Sequence, residues 1–477
     1  MSDSERLPRI IQGGMGVAVS NWALANAVAR LGQLGVVSGT ALDTVMVRRL
    51  QDGDEGGHVR RAMERFPMPD VSAYVLKRFF LPGGRAPGQP YRLLPLYRQT
   101  VPALRDQVTM LGSFVEVTLA QEGHDGMVGI NLLTKIQLPT LPALYGAMLA
   151  GVDVVLMGAG IPREIPGALD ALANHDAAAI KLDVVNARPG ETEYLKFDPC
   201  TRFPDAGAAL SRPRFFPIVS AASLAMTLAR KSNGRVDGFV VEGPTAGGHN
   251  APPRGPMRLN DAGEPIYGER DVVELSAMRD IGLPFWLAGG AGSPEALEYA
   301  LSEGAAGIQV GTLFAHCDES GFTAGIKQRI VGGALRGSLQ VRTDARSSPT
   351  GYPFKVVIDN AETPTFAARE RICDLGYLRE AVRRDDGTLD YRCAAEPVEL
   401  YVKKGGAVED TVDRQCLCNT LCAAVGLPQL RKGGFEEPPI VTSGDDVVNM
   451  ATFLNGRTQY SAADVIAYLT RESAMLV

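Results

Sequence analysis

The feature of this sequence that most limits its fold is a repeated short apolar run followed by a glycine-rich turn. Each run is continuous and rich in β-branched residues, which is typical of strands buried on both faces of a parallel sheet. Helical stretches separate the runs over most of the N-terminal two thirds of the chain. The runs are Arg9–Gln12, Leu34–Ser38, Met127–Asn131, Val152–Met157, Ala178–Val185, Phe215–Val219, Asp237–Val241, Pro284–Ala288 and Gly307–Val310.

This order of elements predicts an α/β fold, a (β/α)8 TIM-type barrel over about residues 1–320. There are nine runs but only eight strand positions in such a barrel, so part of the chain must leave the barrel. We place this excursion, a polar segment rich in proline and glycine, at about 186–214. A second insertion, at about 52–122, separates the second and third strands. From residue 321 to 477 we predict a mainly helical region, whose last helix begins at a capping box, Ser461 to Asp464.

Length and charge narrow the class of protein. A chain of 477 residues exceeds what one hydrophobic core usually supports, so a second structural unit is expected beside the barrel. The net charge of -6, without long runs of one sign, argues against nucleic acid or an anionic membrane as partner. No apolar run is long enough to span a bilayer, and the N-terminus lacks the pattern of a secretory signal. We therefore expect a cytoplasmic protein and leave a homo-oligomer open.

The seven cysteines do not form a disulfide framework, because their number is odd and their density low. Cys416, Cys418 and Cys422 lie close together in an apolar, helical stretch, but their spacing fits no standard zinc or iron–sulfur pattern. We expect these cysteines to be reduced and structural, and we expect no metal site.

Two glycine turns at the end of the barrel part predict a phosphate site. They are Ala288–Pro294 and Gln309–Thr312. Glycine lets backbone N–H groups approach an anion, and a helix that begins at Ser293 would point its positive end at the same place. Phosphate sites of (β/α)8 barrels often use the loops after strands seven and eight. A dinucleotide fingerprint is missing, which argues against a Rossmann domain.

One histidine lies where catalytic groups of barrel enzymes lie. His249 follows a buried strand and two glycines, at the C-terminal end of that strand. Histidine transfers protons near neutral pH and can also hold an anion. The four other histidines lie in positions that we interpret as structural or exposed: His58, His124, His175 and His316.

Taken together, these stretches resemble the nitronate monooxygenase family, formerly called 2-nitropropane dioxygenases, and the related FMN-dependent enoyl-acyl-carrier-protein reductases. The resemblance covers about residues 8–356, and the set of motifs in this order is specific. The matching stretches are Pro8–Gly16, Gly129–Leu132, Val241–His249, Leu287–Gly290, Gly307–Phe314 and Thr350–Phe354, the last within an active-site loop at 347–355.

The resemblance implies a flavoprotein with non-covalent FMN. It places Gly13, Gly14 and Met15 along the isoalloxazine ring. It assigns His249 to the family's active-site histidine. It implies that the cofactor is also contacted by Asn131, Ser220, Glu242, Gly247, Gly248, Gly289, Gly290, Gln309, Gly311 and Thr312.

Three departures from the monooxygenase pattern leave the reaction open. The first turn reads Gln-Gly-Gly-Met, as in the enoyl reductases, the histidine motif begins with Thr245, and Ser220 follows a strand after which many members carry lysine. The resemblance favours oxidation of an alkyl nitronate with O2. The alternatives are an NAD(P)H-dependent enoyl reductase acting on enoyl thioesters, and a non-catalytic flavin-binding partner protein.

Overall fold

The computed structural model describes residues 7–204, 207–359 and 370–471 of the chain. Fifteen strands are found in these ranges. In chain order they are β1 (Ile10–Gln12), β2 (Gly35–Ser38), β3 (Val128–Leu133), β4 (Val154–Gly158), β5 (Ala178–Leu182), β6 (Val184–Val185), β7 (Glu193–Phe197), β8 (Arg214–Val219), β9 (Phe239–Glu242), β10 (Phe285–Ala288), β11 (Gly307–Val310), β12 (Leu339–Asp344), β13 (Phe354–Asp359), β14 (Glu380–Arg383) and β15 (Leu389–Arg392).

The same ranges contain seventeen α-helices. In chain order they are α1 (Trp22–Arg30), α2 (Leu42–Gln51), α3 (His58–Met63), α4 (Pro69–Phe79), α5 (Ala103–Ala120), α6 (Thr140–Leu149), α7 (Ile165–Ala173), α8 (Pro199–Arg202), α9 (Ala222–Lys231), α10 (Leu275–Arg279), α11 (Pro294–Ser302), α12 (Thr312–Ala315), α13 (Ala324–Arg336), α14 (Val398–Lys403), α15 (Leu417–Ala424), α16 (Met450–Leu454) and α17 (Ala462–Thr470).

Eight parallel strands form the predicted barrel, in the spatial order β1-β11-β10-β9-β8-β4-β3-β2. A parallel bridge between Ile11 and Leu34 joins the two ends of this order and closes the ring. Because consecutive barrel strands along the chain are also neighbours in space, the TIM-type fold is confirmed. All eight carboxyl ends therefore open on one face.

The interior of the barrel is filled with apolar side chains. Phe216 and Trp286 stack with their ring centroids 4.9 Å apart, and both are fully buried. The Trp286 indole Nε1 donates a hydrogen bond of 2.8 Å to the Pro8 carbonyl, at the start of β1. These contacts seal the amino-terminal end of the barrel, so that a cavity can form only towards the carboxyl end.

The prediction that Ala178–Val185 is a buried parallel strand was wrong. Within it, β5 pairs antiparallel with β7, and its burial alternates, with Lys181 on the exposed side. The two-residue β6 pairs in parallel with β14, outside the barrel. The excursion that we placed at about 186–214 therefore begins at Ala178 and is a hairpin. The exposed face of β5 carries the small apolar Ala179 beside Lys181, so the run looked more continuously apolar than a half-exposed strand usually does.

The segment at about 52–122 is only partly an insertion on the surface. Helices α3 and α4 lie in its first half, but α5 is buried along most of its length and packs against α1, α2 and α6. Helix α5 thus belongs to the helical layer of the barrel. None of the helices in the described ranges is both long and apolar enough to cross a membrane.

After residue 320 the described residues contain more helix than strand, and they add two strand pairs that the sequence did not predict. Strands β12 and β13 pair antiparallel, as do β14 and β15. The predicted capping box at Ser461 is present: its Oγ accepts from the Asp464 N–H at 3.2 Å, and the Asp464 carboxylate accepts from the Ser461 N–H at 2.8 Å.

Replacing the buried indole tests the sealed end of the barrel. Trp286→Ala should lower the free energy of unfolding by about 3–5 kcal/mol, because it leaves a large cavity and an unpaired Pro8 carbonyl. Urea unfolding measures the change. Tyr299→Ala is the control, since this side chain is 56% exposed and its loss should cost less than about 0.5 kcal/mol. A similar small loss for both variants would contradict the packing described here.

Candidate active site

A cavity lies at the carboxyl end of the barrel and is walled by the turns after its strands. The residues predicted from the sequence that line it are Gly13, Gly14, Met15, Asn131, Glu242, Gly247, Gly248, His249, Gly289, Gly290, Gln309, Gly311 and Thr312. The remaining predicted residue, Ser220, lines an adjoining cavity that shares Glu242 and His249 with the first. The fold thus brings residues from distant parts of the sequence to one place.

The two glycine turns predicted to hold a phosphate form one wall of the cavity. Gly289 and Gly290 adopt φ angles of 86° and 65°, in the left-handed region that favours glycine. Four backbone N–H groups of these turns find no acceptor among the described residues: those of Gly290, Ala291, Gly311 and Thr312. Unpaired N–H groups at helix starts are suited to an anion.

Helix α11 begins beside these turns, as the sequence predicted. The Ser293 hydroxyl accepts a hydrogen bond of 3.1 Å from the Ala296 N–H, and Pro294 is the first helical residue. The positive end of the helix therefore faces the glycine turn.

A C-terminal segment, Thr442–Asp446, completes this wall, and sequence reasoning missed it. It lies more than 100 residues after the last barrel strand, and its polar sequence carries no motif that links it to the barrel. Four hydrogen bonds hold the segment against the barrel. The segment accepts two of them, from the Gly248 N–H to Thr442 Oγ1 (3.0 Å) and from the Gly292 N–H to Asp446 Oδ2 (3.2 Å). It donates the other two, from the Gly444 N–H to Thr312 Oγ1 (3.1 Å) and from the Asp445 N–H to the Thr245 carbonyl (3.0 Å).

Asp446 brings a carboxylate to the edge of the anion site. Burial raises the pKa of Asp446, and the hydrogen bond from the Gly292 N–H opposes that rise. Its neighbour Asp445 pairs with Lys355, with Nζ and Oδ1 2.8 Å apart. The Thr442–Asp446 segment therefore places the Asp446 carboxyl group next to N–H groups that favour an anion, while the charge of Asp445 is paired with Lys355.

Three polar side chains that line the cavity have oxygen atoms without a hydrogen-bond partner among the described residues, although the Asn131 Nδ2 donates to the Gly14 carbonyl at 3.1 Å. The amide oxygens of Asn131 and Gln309 are buried without a hydrogen-bond partner in the described structure. Glu242, at the end of β9, lies deep in the molecule while still reaching the cavity, and burial raises its pKa to about 8. Since unpaired buried polar groups are costly, these three side chains are suited to a polar ligand.

His249 lies between the cavity and the loop at 347–355. Its Nε2 is 2.7 Å from the Ser348 hydroxyl, and its ring meets the edge of Phe354 with centroids 4.9 Å apart. Burial lowers the pKa of His249 to about 4, so the ring is neutral at neutral pH. A neutral imidazole has one donor and one acceptor nitrogen, and the Ser348 contact selects which nitrogen faces the cavity.

The loop at 347–355 reaches His249 through backbone pairing. The Lys355 N–H donates to the Gly248 carbonyl, and the Asn250 N–H donates to the Pro353 carbonyl, each at 2.9 Å. The sequence placed this loop near the site, and the structure does so too. The four other histidines do not line the cavity; His316, for example, is buried and stacks on Phe322.

Glu242→Gln should change how stability depends on pH. The pKa of Glu242 rises from 4.5 to about 8 on folding, so the protonated carboxyl stabilises the fold fully below pH 4.5 and this contribution is lost as the pH rises through 8. Between pH 4.5 and about 8, the free energy of unfolding of Glu242→Gln should rise relative to that of wild type, and above this range the difference should stay constant. Urea unfolding across the window measures the difference. Glu269→Gln, at an exposed position, should show none; parallel curves for all three proteins would refute the raised pKa.

The sequence profile of the nitronate monooxygenase family matches residues 175–360 of this chain. A nitronate monooxygenase of Pseudomonas aeruginosa is 34% identical over 126 residues, which cover 26% of this chain and 34% of that protein. The chain thus matches about a third of the length of this relative.

The chain is also similar to several solved structures at low sequence identity. FabK from Thermotoga maritima is 16% identical, with 98% of this chain and 93% of that chain covered and a TM-score of 0.44. Nitroalkane oxidase from Streptomyces ansochromogenes is 15% identical, and the alignment covers 98% of this chain and 95% of that chain with a TM-score of 0.44. The enoyl reductase domain of MlnA from Bacillus amyloliquefaciens is 12% identical, and the alignment covers 99% of this chain and 95% of that chain with a TM-score of 0.47.

The family profile includes the β9 strand, the glycine turns after β10 and β11, and His249 with its partner loop. These are the elements that form most of the cavity. Residues 175–360 of this chain are therefore similar to the nitronate monooxygenase family over the part of the chain that supplies most of the cavity.

Proposed function

We propose that this protein is an FMN-dependent oxidoreductase that oxidises alkyl nitronates with O2. The observation that carries the proposal is the shared cavity, in which free backbone N–H groups, polar side-chain atoms without a partner and His249 surround one space. The match of this region to the nitronate monooxygenase profile supports it.

The residues present fit FMN. The unpaired N–H groups of Gly290, Ala291, Gly311 and Thr312 would hold its phosphate, because a phosphate accepts several hydrogen bonds at once. The glycines matter here, since a side chain at 290 or 248 would project into the cavity, where a Cβ meets little or no protein.

The other end of the cofactor would lie against the polar side of the cavity. Gly13, Gly14 and Met15 would run along the flat ring system, while Asn131, Gln309 and Glu242 would meet its polar atoms. A protonated Glu242 can donate a hydrogen bond, which an ionised one cannot. When bound, FMN supplies the ability to accept electrons from an organic substrate and to pass them on.

Placing a carboxylate in the glycine turn tests the phosphate site. Gly290→Asp should raise the Kd for FMN by about 100-fold or more, because like charges only a few ångströms apart repel strongly. Fluorescence titration of the apoprotein with FMN gives the Kd. Gly282→Asp is the matched control: it has a similar positive φ, but lies before β10, at the opposite end of the barrel. Equal FMN affinity in wild type and Gly290→Asp would put the phosphate elsewhere.

For a nitronate, the chain's own residues would bind and orient the substrate. Overall, two nitronate ions and one O2 would give two carbonyl compounds and two nitrite ions. Each nitronate carbon would take one oxygen atom and each nitrogen would leave as nitrite, so that both atoms of O2 and all electrons are accounted for. The neutral His249 ring would donate a hydrogen bond to the anionic substrate or take up a proton, and Ser348 would fix its orientation. Closing the cavity with the loop at 347–355 would exclude water from the site.

A second candidate is an NAD(P)H-dependent enoyl reductase. The observation that favours it is the adjoining cavity, which begins at Glu242 and His249 and continues outwards past Ile161, Leu224 and Tyr267. This space suits an extended acyl chain better than a small nitronate. In this reaction His249 would lie near the position from which the enoyl group receives its proton.

Anaerobic reduction separates the two candidates. If the protein is a nitronate monooxygenase, a nitronate should bleach the flavin absorbance within the turnover time and NADPH or NADH should not. If it is an enoyl reductase, the nicotinamide should bleach it and an enoyl thioester should restore the colour. A flavin that neither class of reagent reduces would contradict both reactions and favour a non-catalytic flavin-binding protein.

His249→Asn should lower the rate by roughly 10²–10⁴-fold if this histidine transfers a proton. If it only positions an anionic substrate, the loss should appear in KM with kcat almost unchanged. Steady-state kinetics with the reagent that reduces the flavin distinguish the two roles. FMN content should stay at the wild-type level, since the anion site uses other turns. His58→Asn, far from the cavity, serves as control. Unchanged kinetics at full FMN content would exclude His249 from the reaction.

A further inference from the structure

Three side chains form a continuous hydrogen-bond chain from His249 into the loop at 347–355. The His249 Nε2 and the Ser348 Oγ are 2.7 Å apart, and the Ser348 Oγ and the Thr350 Oγ1 are 2.8 Å apart. Ser348 is fully buried, so its hydroxyl group meets no bulk water. The other ring nitrogen, Nδ1, has no hydrogen-bond partner among the described residues. The hydrogen-bond chain therefore begins at the nitrogen that a substrate would not use.

The hydrogen-bond chain ends at a second cavity, which we call the hairpin cavity. It has a volume of about 330 Å³ and lies beside the β5–β7 hairpin, and its lining includes Lys181, Asp183, Glu191 and Thr350. The first three of these residues are exposed, so the hairpin cavity opens to solvent. It shares no lining residue with the candidate active site. Thr350 thus connects solvent with a histidine on the far side of the loop.

The two hydroxyl groups of this hydrogen-bond chain can point in either direction. The Ser348 Oγ also accepts from the Thr350 N–H at 3.2 Å, and the Thr350 Oγ1 accepts from the Tyr352 N–H at 3.3 Å. Because a hydroxyl group donates once and accepts twice, each oxygen keeps one donor and one acceptor position for the chain. Both hydroxyls can therefore point towards His249, or both towards the hairpin cavity, with the same number of hydrogen bonds.

Contacts from the C-terminal region hold the two hydroxyl groups in place. The Arg414 Nη1 donates to the Ser348 carbonyl at 2.6 Å and to the Arg346 carbonyl at 2.8 Å. The Gln415 N–H donates to the Ser347 carbonyl at 2.9 Å. Proton transfer requires donor and acceptor atoms within hydrogen-bond distance, and these backbone contacts keep Ser348 at that distance from His249.

We propose that Ser348 and Thr350 form a proton relay between His249 and the solvent of the hairpin cavity. When Nδ1 takes a proton from a substrate, the proton on Nε2 moves to Ser348, the Ser348 proton moves to Thr350, and the Thr350 proton leaves to water. The reverse sequence supplies a proton to the substrate. Every relay atom gains one proton as it loses one, so the imidazole ring is neutral before and after the transfer.

The surroundings of His249 make such a coupled transfer useful. Burial lowers the pKa of His249 to about 4, so a ring that keeps an added proton is disfavoured. Release from Nε2 as Nδ1 is protonated avoids the charged ring and returns the histidine to a neutral state. Proton transfer with a substrate at Nδ1 rests on the proposed function, whereas the reversal of the hydroxyl groups does not and is tested separately.

Nitrogen NMR of the histidines tests the relay without a substrate. The full chain is labelled with ¹⁵N-histidine, and His249→Asn identifies the His249 signals among those of the five histidines. In wild type we expect averaged signals, because the ring exchanges between its two neutral tautomers as the hydroxyl groups reverse. In Thr350→Val the Ser348 proton has only Nε2 left as acceptor. The signals should then become those of the single tautomer with its proton on Nδ1.

Two matched variants complete this measurement. Thr350→Ser keeps the hydroxyl group and should keep the averaged signals. Thr192→Val should keep them as well, because Thr192 lines the hairpin cavity but is not part of the relay. Circular dichroism checks that each variant folds, and the wild-type spectrum decides if Thr350→Val does not. A wild-type ring fixed in one tautomer, or identical signals in wild type and Thr350→Val, would overturn the proposal.

Turnover of the FMN-loaded protein gives the second test. With the reagent that reduces the flavin, Thr350→Val should lower kcat by about 10- to 100-fold, less than loss of the histidine itself, because solvent in the active site offers a slower route. Added imidazole or the Thr350→Ser variant should recover most of the rate, and Thr192→Val should match wild type. No rate loss, or a loss that imidazole leaves unchanged, would overturn the relay. If no reagent reduces the wild-type flavin, the proposed function fails and the NMR signals alone decide on the relay.

Discussion

Closure of the barrel between β1 and β2 is the constraint on which the site depends. Only one backbone bridge, Ile11 to Leu34, joins these strands, and the fully buried side chain of Gln12 reinforces it. Its Oε1 accepts from the Val36 N–H at 3.0 Å, and its Nε2 donates to Ser20 Oγ at 2.8 Å. The glutamine thereby takes the place of missing ladder bonds and fixes the Gly13–Met15 turn against the cavity.

Once the ring is closed, local sequence rules account for much of the cavity. Glycines after a strand allow the left-handed φ angles that the turn after β10 requires, and Ser293 with Pro294 starts a helix there. Both terminal turns could therefore be predicted from residue types alone. His249 could be placed for the same reason. These are short-range patterns, each within about ten residues. The resemblance to a family added Asn131 and Glu242, whose individual signals were weak.

Long-range contacts could not be predicted in this way. The Thr442–Asp446 segment reaches the cavity through backbone atoms, two threonine hydroxyls and the Asp446 carboxyl group, which together form no sequence motif. The run at Ala178 was misassigned for a related reason: an exposed Ala179 on a hairpin cannot be distinguished by residue type from an alanine inside a parallel sheet. Cys373, Cys393, Cys416 and Cys418 come from three segments of the chain, so they become neighbours only when these segments fold together.

The C-terminal region therefore does more than cover the barrel. It supplies Ser348 to the histidine, Asp446 to the edge of the anion site and Leu421 to the cavity wall. The Gly292 N–H already donates to Asp446, so an anion that occupies the neighbouring N–H groups must lie close to a carboxyl group. Because burial raises the pKa of Asp446, the protonated form becomes more accessible there, which reduces the repulsion that an ionised carboxylate would exert on a phosphate. If an anion binds here as proposed, its affinity will depend both on the barrel turns and on the Thr442–Asp446 segment that packs against them.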